Sequence, residues 1–210
     1  RVAYNGFPSL QLTAAGPCRP FDRDRQGLNL GEGAGLLVLE HQDRAAGRGA
    51  EPLGLIRGYG SAADAWHPTA PHPEGRGLQQ AFSRVMAEAG EGFAVSLVNA
   101  HGTGTRSNDQ AETAALAACL PAPHKVPIVS TKGITGHTLG AAGGIEAIFT
   151  LLALRAGTTP GTPGCTTPDP AFALSPLPAG RSVALAGNQG LSQSLAFGGG
   201  NAILALEAVS

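Results

Sequence analysis

Two short β-branched runs, residues 95–98 and 126–129, each lead into a histidine framed by small residues. The first frame is Asn99-Ala100-His101-Gly102-Thr103-Gly104-Thr105 and the second is Lys132-Gly133-Ile134-Thr135-Gly136-His137. A strand that gives way through glycines to a helical stretch is the repeating unit of layered α/β folds, and it carries its last side chains to the edge of the sheet. Glycine flanks let other groups come close to an imidazole. Two such frames so near each other point to one site that uses paired imidazoles.

The rest of the chain extends this alternation. Residues 36–40 (Leu-Leu-Val-Leu-Glu) read as a buried strand, 41–48 as a short helix stopped by Gly49, and 53–59 as a second strand. Residues 61–74 form a loop rich in proline and histidine. Residues 78, 81, 82, 85, 86 and 89 are apolar at helical spacing, and Gly90 ends that helix. Residues 109–120 form another helix, with Asp109 and Glu112 in a capping-box arrangement. Residues 139–155 are almost wholly apolar, so this helix should be buried on most sides. After a Pro/Gly/Thr-rich connection over 157–180, strands are expected at 182–186 and 202–207, with Gly198-Gly199-Gly200 as a tight turn between them. The expected organisation is a loop-rich segment over 1–33, continuing from an earlier half, and an α/β domain over 34–210.

Composition narrows the class. A formal net charge of -1 gives no general attraction to nucleic acid or to a membrane surface. Hydrophobic residues make up 42% and charged residues 14%, which fits a chain that buries much of its surface against partners. No apolar run is expected to reach the roughly 18–20 residues of a membrane span, since Gly140, Gly143, Gly144 and Glu146 interrupt the longest one. Cys18, Cys119 and Cys165 are odd in number and scattered, which argues against a disulfide framework and for a reducing, cytoplasmic setting. The chain starts at Arg1 and its one methionine is Met86, so it reads as a piece of something longer.

Three further stretches join the two histidine frames. They are Gly140-Ala141-Ala142-Gly143 after His137, Gln193 to Asn201 with its Phe197-Gly198-Gly199-Gly200, and Cys18-Arg19-Pro20-Phe21-Asp22 with the glycines of 31–35. With these the chain resembles the C-terminal half of a β-ketoacyl-[acyl carrier protein] synthase. The resemblance implies a thiolase-like layered αβα fold, a mixed sheet with buried helices, of which one of two similar halves is present. It implies a decarboxylative Claisen condensation of malonyl-carrier protein with an acyl thioester held on a cysteine.

In that reading His101 and His137 stabilise the enolate. Neutral imidazole is expected at His137, because a helix N-terminus disfavours a positive ring. Thr103 and Thr105 bind the phosphopantetheine arm, which belongs to the substrate and is no resident cofactor. Lys132 and Glu112 form a buried ion pair that organises the histidines, since a buried charge needs a partner. The backbone N–H of Phe197 completes an oxyanion hole and its ring gates the acyl pocket, with Gly198 and Gly199 at the substrate. Leu195 and Ala196 depart from the family pattern there. Asn99, Glu146 and Ser192 match positions that hold a monovalent cation in some members.

No cysteine here occupies the nucleophile's place, so this piece alone should be inactive. The expected partners are an acyl carrier protein, received by Arg19, Arg23 and Arg25, and a second condensing-enzyme subunit in a homodimer or heterodimer. The alternative is a non-catalytic chain-length-factor subunit. Such subunits tend to lose one or both histidines, and both are retained here.

Overall fold

The computed structural model describes residues 2–209. Its strands are β1 (Gly54–Ala63), β2 (Val98–Asn99), β3 (Ile128–Val129), β4 (Thr158–Pro160), β5 (Ser182–Ala184), β6 (Gln189–Ala196) and β7 (Gly200–Ala208). Its α-helices are α1 (Val2–Ser9), α2 (Gln42–Gly47), α3 (Arg76–Ala89), α4 (Arg106–Cys119), α5 (Lys132–Thr135) and α6 (Ala142–Ala156). Five strands make one mixed sheet in the order β1-β7-β6-β2-β3, and β4 pairs with β5 in a small separate sheet. β1, β7 and β6 are antiparallel neighbours, while β6, β2 and β3 run parallel.

Side-chain alternation along the strands builds two cores. On β7, Ile203 and Ala205 face one way, with Val98, Leu191 and the buried faces of α3 and α4. Leu206 and Ala208 face the other way, with Leu97, Val129 and Ala147 and Leu154 of α6. The result is an αβα sandwich with a single sheet at its centre.

α3 and α6 lie close to where periodicity put them. Other elements differ, each for a physical reason. Residues 36–40 form no strand: Leu36 is 90% exposed and Val38 95%, because no neighbouring strand stands beside them among the described residues. β6 was not expected, since its buried face reads Leu191, Gln193, Leu195 and a glutamine interrupts the apolar alternation. The start of the chain, read as loop, contains α1.

Nor is Asp109 the cap of its helix. α4 begins after Thr105, and Asp109 sits fully buried inside the first turn. α6 buries one stripe (Ala142, Glu146, Ala147, Thr150 and Leu154), while Phe149 and Leu152 are exposed. Length and composition alone would let residues 139–156 cross a membrane, with a mean hydropathy of 1.4 over 18 residues, contrary to the expectation from the sequence. The stripe that α6 lays on the sheet is nevertheless partly polar, with Glu146 and Thr150 both hydrogen-bonded there.

α3 and β1 touch backbone to backbone at Gly60. A Cβ there would stand 2.1 Å from the Ala81 carbonyl oxygen and 2.6 Å from the Val85 nitrogen. Gly60→Ala should therefore push α3 off the sheet and cost about 1–3 kcal/mol, as overpacking of a filled core does. Urea unfolding of the full-length protein should show a lower midpoint with an unchanged slope. An unchanged midpoint would mean that this contact does not hold the layers together.

Candidate functional site

The parallel strands β2 and β3 end side by side, and the histidine frames begin there. After Ala100, whose N–H still bonds to the Val129 carbonyl (2.8 Å), the chain turns through Gly102 and Gly104, both at positive φ. Only glycine fits at 102: φ is +38°, and a Cβ would meet the Cβ of Ser130 at 2.5 Å. The turn leaves backbone N–H groups pointing inward, and buried acids of α4 receive them. Glu112 accepts from the N–H of His101 (2.6 Å) and of Gly102 (2.8 Å). Asp109 accepts from the N–H of Gly104 (3.2 Å) and of Phe21 (2.7 Å).

His137 lies in the turn between α5 and a short 3-10 segment, Leu139–Ala141, that leads into α6. Its N–H donates to the Asn29 carbonyl (2.7 Å) and its carbonyl accepts from Gly31 (3.0 Å), so the glycine-rich segment near residue 30 holds it in place. The two imidazoles meet edge to face, with ring centroids 5.0 Å apart.

The tautomers follow from the partners. The N–H of Leu139 donates to Nδ1 of His137 (3.2 Å). The Lys132 ammonium stands 3.2 Å from Nδ1 of His101 and, having only hydrogens to give, makes that nitrogen an acceptor. Each ring therefore carries its proton on Nε2. Burial, joined by the charge of Lys132, drives the His137 pKa down to about 4. Burial, Lys132 and then His137 drive His101 well below its ordinary value. Both rings are neutral N–H donors. The cause is burial beside a cation, not the helix N-terminus inferred from sequence.

Lys132 is not paired with Glu112. Its ammonium binds the Glu146 carboxylate and the His101 carbonyl (2.5 Å), as well as Nδ1 of His101. Glu112 is committed to the backbone of the His101 turn, and burial raises its pKa to about 7. Burial raises Glu146 too, against the opposing charge of Lys132. The signal for Glu146 was present in the sequence: it is the one acid of α6, set among mostly apolar residues, and a buried acid requires a buried cation.

Both rings open onto a cavity of about 480 Å³ also lined by Thr103, Thr105, Asn108, Ser194 and Phe197. The hydroxyls of Thr103 and Thr105 are 2.9 Å apart. Phe197 is at the rim, 47% exposed, with its ring 5.5 Å from that of Phe7. Its backbone N–H has no acceptor among the described residues.

Gly198 and Gly199, expected at the substrate, are not on the cavity wall. They tie the β6–β7 turn to the 64–75 loop, through Gly198 N–H to the Pro68 carbonyl (2.7 Å) and Asp64 N–H to the Gly199 carbonyl (2.8 Å). Asp64 and Asn201, which the sequence reading passed over, line the cavity and bond to each other (3.1 Å).

Asn99 and Ser192 face each other across β2 and β6, on the side covered by α6. Asn99 Nδ2 donates to the Glu146 carbonyl (3.1 Å), while Asn99 Oδ1 and Glu146 Oε2 are buried without a hydrogen-bond partner. Two orphaned oxygens beside a serine suit a hard cation. Among the described residues no group of three His, Cys, Asp or Glu forms a transition-metal site.

Burial raises all three thiol pKa values, so none is poised as a thiolate. Cys18 donates to the Thr103 carbonyl (3.2 Å) and burial pushes its thiol up to about 11. Burial takes Cys165 to about 12. Of the three arginines expected to receive a partner, Arg25 is buried against Asp169 (2.6 Å) and the Phe172 ring. Arg19 is turned to the buried Asp22 (3.0 Å), which leaves Arg23 as the exposed member.

The chain is similar to known proteins in sequence and in fold. The family model described as "Beta-ketoacyl synthase, C-terminal domain" matches residues 53–166, and "Beta-ketoacyl synthase, N-terminal domain" matches residues 2–45. The chain is 43% identical to a 3-oxoacyl-[acyl-carrier-protein] synthase 2 of Synechocystis sp., over 98% of this chain and 51% of that protein. It is also 43% identical to the synthase 2 of Staphylococcus aureus, over 89% of this chain and 45% of that one. The chain thus spans about half the length of the curated relatives it matches.

Among solved structures, the ishigamide ketosynthase/chain length factor superposes with a TM-score of 0.92 at 36% identity, over 100% of this chain and 51% of that one. A β-ketoacyl synthase from Burkholderia phymatum superposes with a TM-score of 0.91 at 34% identity, over 99% of this chain and 52% of that one. A type II PKS acyl-carrier protein in complex with its ketosynthase gives 0.93 at 28%, over 100% of this chain and 53% of that one. The layered αβα sandwich is the thiolase-like architecture expected from the sequence.

The depressed His137 pKa has a definite sign. With a folded value near 4 and an unfolded value near 6.5, the unfolded chain binds the extra proton between those limits. This ring's contribution to stability is thus complete above about pH 6.5 and is lost as the pH falls toward 4. His137→Gln removes it, so the stability difference between variant and wild type should move in the variant's favour from pH 7 to 4.5. Ring NMR should show the Nε2–H tautomer and a midpoint near 4. A midpoint near 6.5 with a pH-independent difference would contradict the assignment.

Proposed function

The chain belongs to the β-ketoacyl synthase family, and from that premise we propose that the protein it comes from performs a decarboxylative condensation of a malonyl thioester with an acyl thioester. The observation that carries this reading is the pair of neutral imidazoles, 5.0 Å apart, each with Nδ1 occupied and Nε2–H free at one cavity. Two such donors suit one thioester carbonyl oxygen that gains negative charge. The malonyl carboxylate leaves as CO2. The electron pair of the broken C–C bond passes into the enolate, whose oxygen the two N–H groups hold. The enolate carbon then attacks the acyl thioester carbonyl, and the sulfur that carried the acyl group departs.

The roles divide among the residues as follows. His101 and His137 are the catalytic donors. Lys132 and Glu112 are positioning residues: the first fixes His101 from its ring and carbonyl, the second from its N–H. The unpaired N–H of Phe197 is the donor for the oxyanion of acyl transfer. Thr103 and Thr105 face the phosphopantetheine arm. Asn99, Glu146 and Ser192 would hold a monovalent cation, whose charge would offset that of Glu146 where Lys132 reaches only one of its oxygens.

The acyl-bearing cysteine is not among Cys18, Cys119 and Cys165, none of which lines the cavity. The rest of the protein supplies it in this reading, and the present piece alone is inactive. In this reading residues 1–33 continue from a preceding half and residues 34–210 form the C-terminal domain. An acyl carrier protein and a second condensing-enzyme subunit are the partners. The retained histidine pair favours a catalytic subunit over a chain-length factor.

The test separates decarboxylation from acyl transfer in the full-length protein. His101→Ala and His137→Ala should each slow CO2 release from malonyl-carrier protein by roughly 10²–10³-fold, the usual cost of one oxyanion donor. Acyl transfer onto the cysteine should suffer less. Lys132→Ala should also impair decarboxylation, by leaving Glu146 buried without its cation and the His101 ring unheld. Radiolabelled acyl transfer beside CO2 measurement reads both steps. Normal CO2 release in both histidine variants would refute the paired-imidazole role.

A further inference from the structure

Asn108 stands in the first turn of α4, next to the Thr103–Thr105 pair, on the wall of the histidine cavity. The residue is only 7% exposed. Its amide nitrogen is turned inward, donating to Asp109 Oδ1 (3.2 Å) and to Glu112 Oε2 (3.4 Å). Both acceptors are fully buried acids, so the amide orientation is fixed: only the NH2 end can satisfy a carboxylate. Oδ1 is thereby directed the other way. It accepts nothing from the described residues, and it is not among the buried oxygens sealed from solvent. The cavity thus has a rigid, unpartnered acceptor in its wall, aimed by two buried acids.

The threonines supply the complementary half. Thr103 and Thr105 share one hydrogen bond between their hydroxyls, and the Thr105 N–H leans on Thr103 Oγ1 (3.4 Å). Two hydroxyl hydrogens serve one mutual bond, so one remains to be given to a ligand. A free O–H donor beside a fixed C=O acceptor matches the two edges of a secondary amide: its carbonyl takes the hydroxyl hydrogen, and its N–H goes to Asn108. A saturated hydrocarbon chain would leave both wall groups desolvated and unpaired, which is costly.

We propose that Asn108 is a substrate-binding residue: its Oδ1 accepts the N–H of a secondary amide in the arm that bears the thioester, beside the Thr103–Thr105 pair already placed at that arm. The proposal rests on the condensing-enzyme reading above. It adds a specificity element that the histidine frame itself does not contain, and it explains why Glu112 and Asp109 spend an acceptor each on an asparagine at the wall.

The probes are malonyl-pantetheine and two analogues, each with one of the two arm amides replaced by an ester, which keeps the carbonyl and removes the N–H. CO2 release by the full-length enzyme is measured with each. Wild type should lose roughly 3–10-fold in kcat/KM on one ester analogue, the size of one neutral hydrogen bond. Asn108→Ala and Asn108→Ser should be slower on the amide and indifferent to that same replacement.

Equal losses in wild type and variants would overturn the assignment. If the variants do not fold, wild type decides alone: two ester analogues as good as the amide overturn it. No CO2 from malonyl-pantetheine in wild type, with malonyl-carrier protein also inert, would instead overturn the condensing-enzyme reading, and this proposal with it.

Discussion

One buried ammonium organises this site. Lys132 is 1% exposed, and moving a charge so far from water costs several kcal/mol unless its hydrogens find acceptors. It has three to give, and the structure meets it with three acceptors: a Glu146 oxygen, the His101 carbonyl and His101 Nδ1. The lysine comes from α5, the glutamate from α6 and the histidine from the turn after β2. A single charge therefore fixes the mutual placement of three elements that share no regular backbone pairing. Burial, joined by the same charge, makes a positive charge on either imidazole unfavourable, which keeps both rings in the form that donates without being acid.

Much of the site was readable in the sequence because its signals are local. The glycine frames, the strand runs ahead of them and the alternating threonines all lie within a few residues of the groups they serve. What the sequence did not specify was pairing across space. Glu112 and Glu146 are both acids on helices near Lys132, and spacing does not say which one the ammonium reaches. The answer depends on the turn at Gly102, whose inward N–H groups need an acceptor and take Glu112. Likewise, three nearby arginines looked like a basic patch, yet Arg25 is drawn inside by Asp109 and Asp169.

The misread elements follow a similar logic. β6 escaped notice because a buried glutamine stands where an apolar residue would have completed the period, and both polar atoms of Gln193 lack a partner. The apolar run at 36–40 has the composition of a strand, but a strand is made by its neighbours as much as by its residues. α6 looked buried all round because its residues are apolar. In fact its buried stripe holds the polar groups, Glu146 and Thr150, and leaves Phe149 and Leu152 outward. Hydrophobicity alone misplaced the inside of this helix, since the inside is where the charge network is.

The outward apolar groups have a consequence for how such a molecule comes apart. Leu36, Val38 and Leu39 are 90%, 95% and 70% exposed, and Leu152 is 54% exposed. A contiguous apolar segment that offers unpaired backbone is a template for any free sheet edge in solution. A layer laid over those residues would add to the free energy that keeps the histidine cavity assembled, so loosening such a layer would be felt at the imidazoles without any residue of the site being touched.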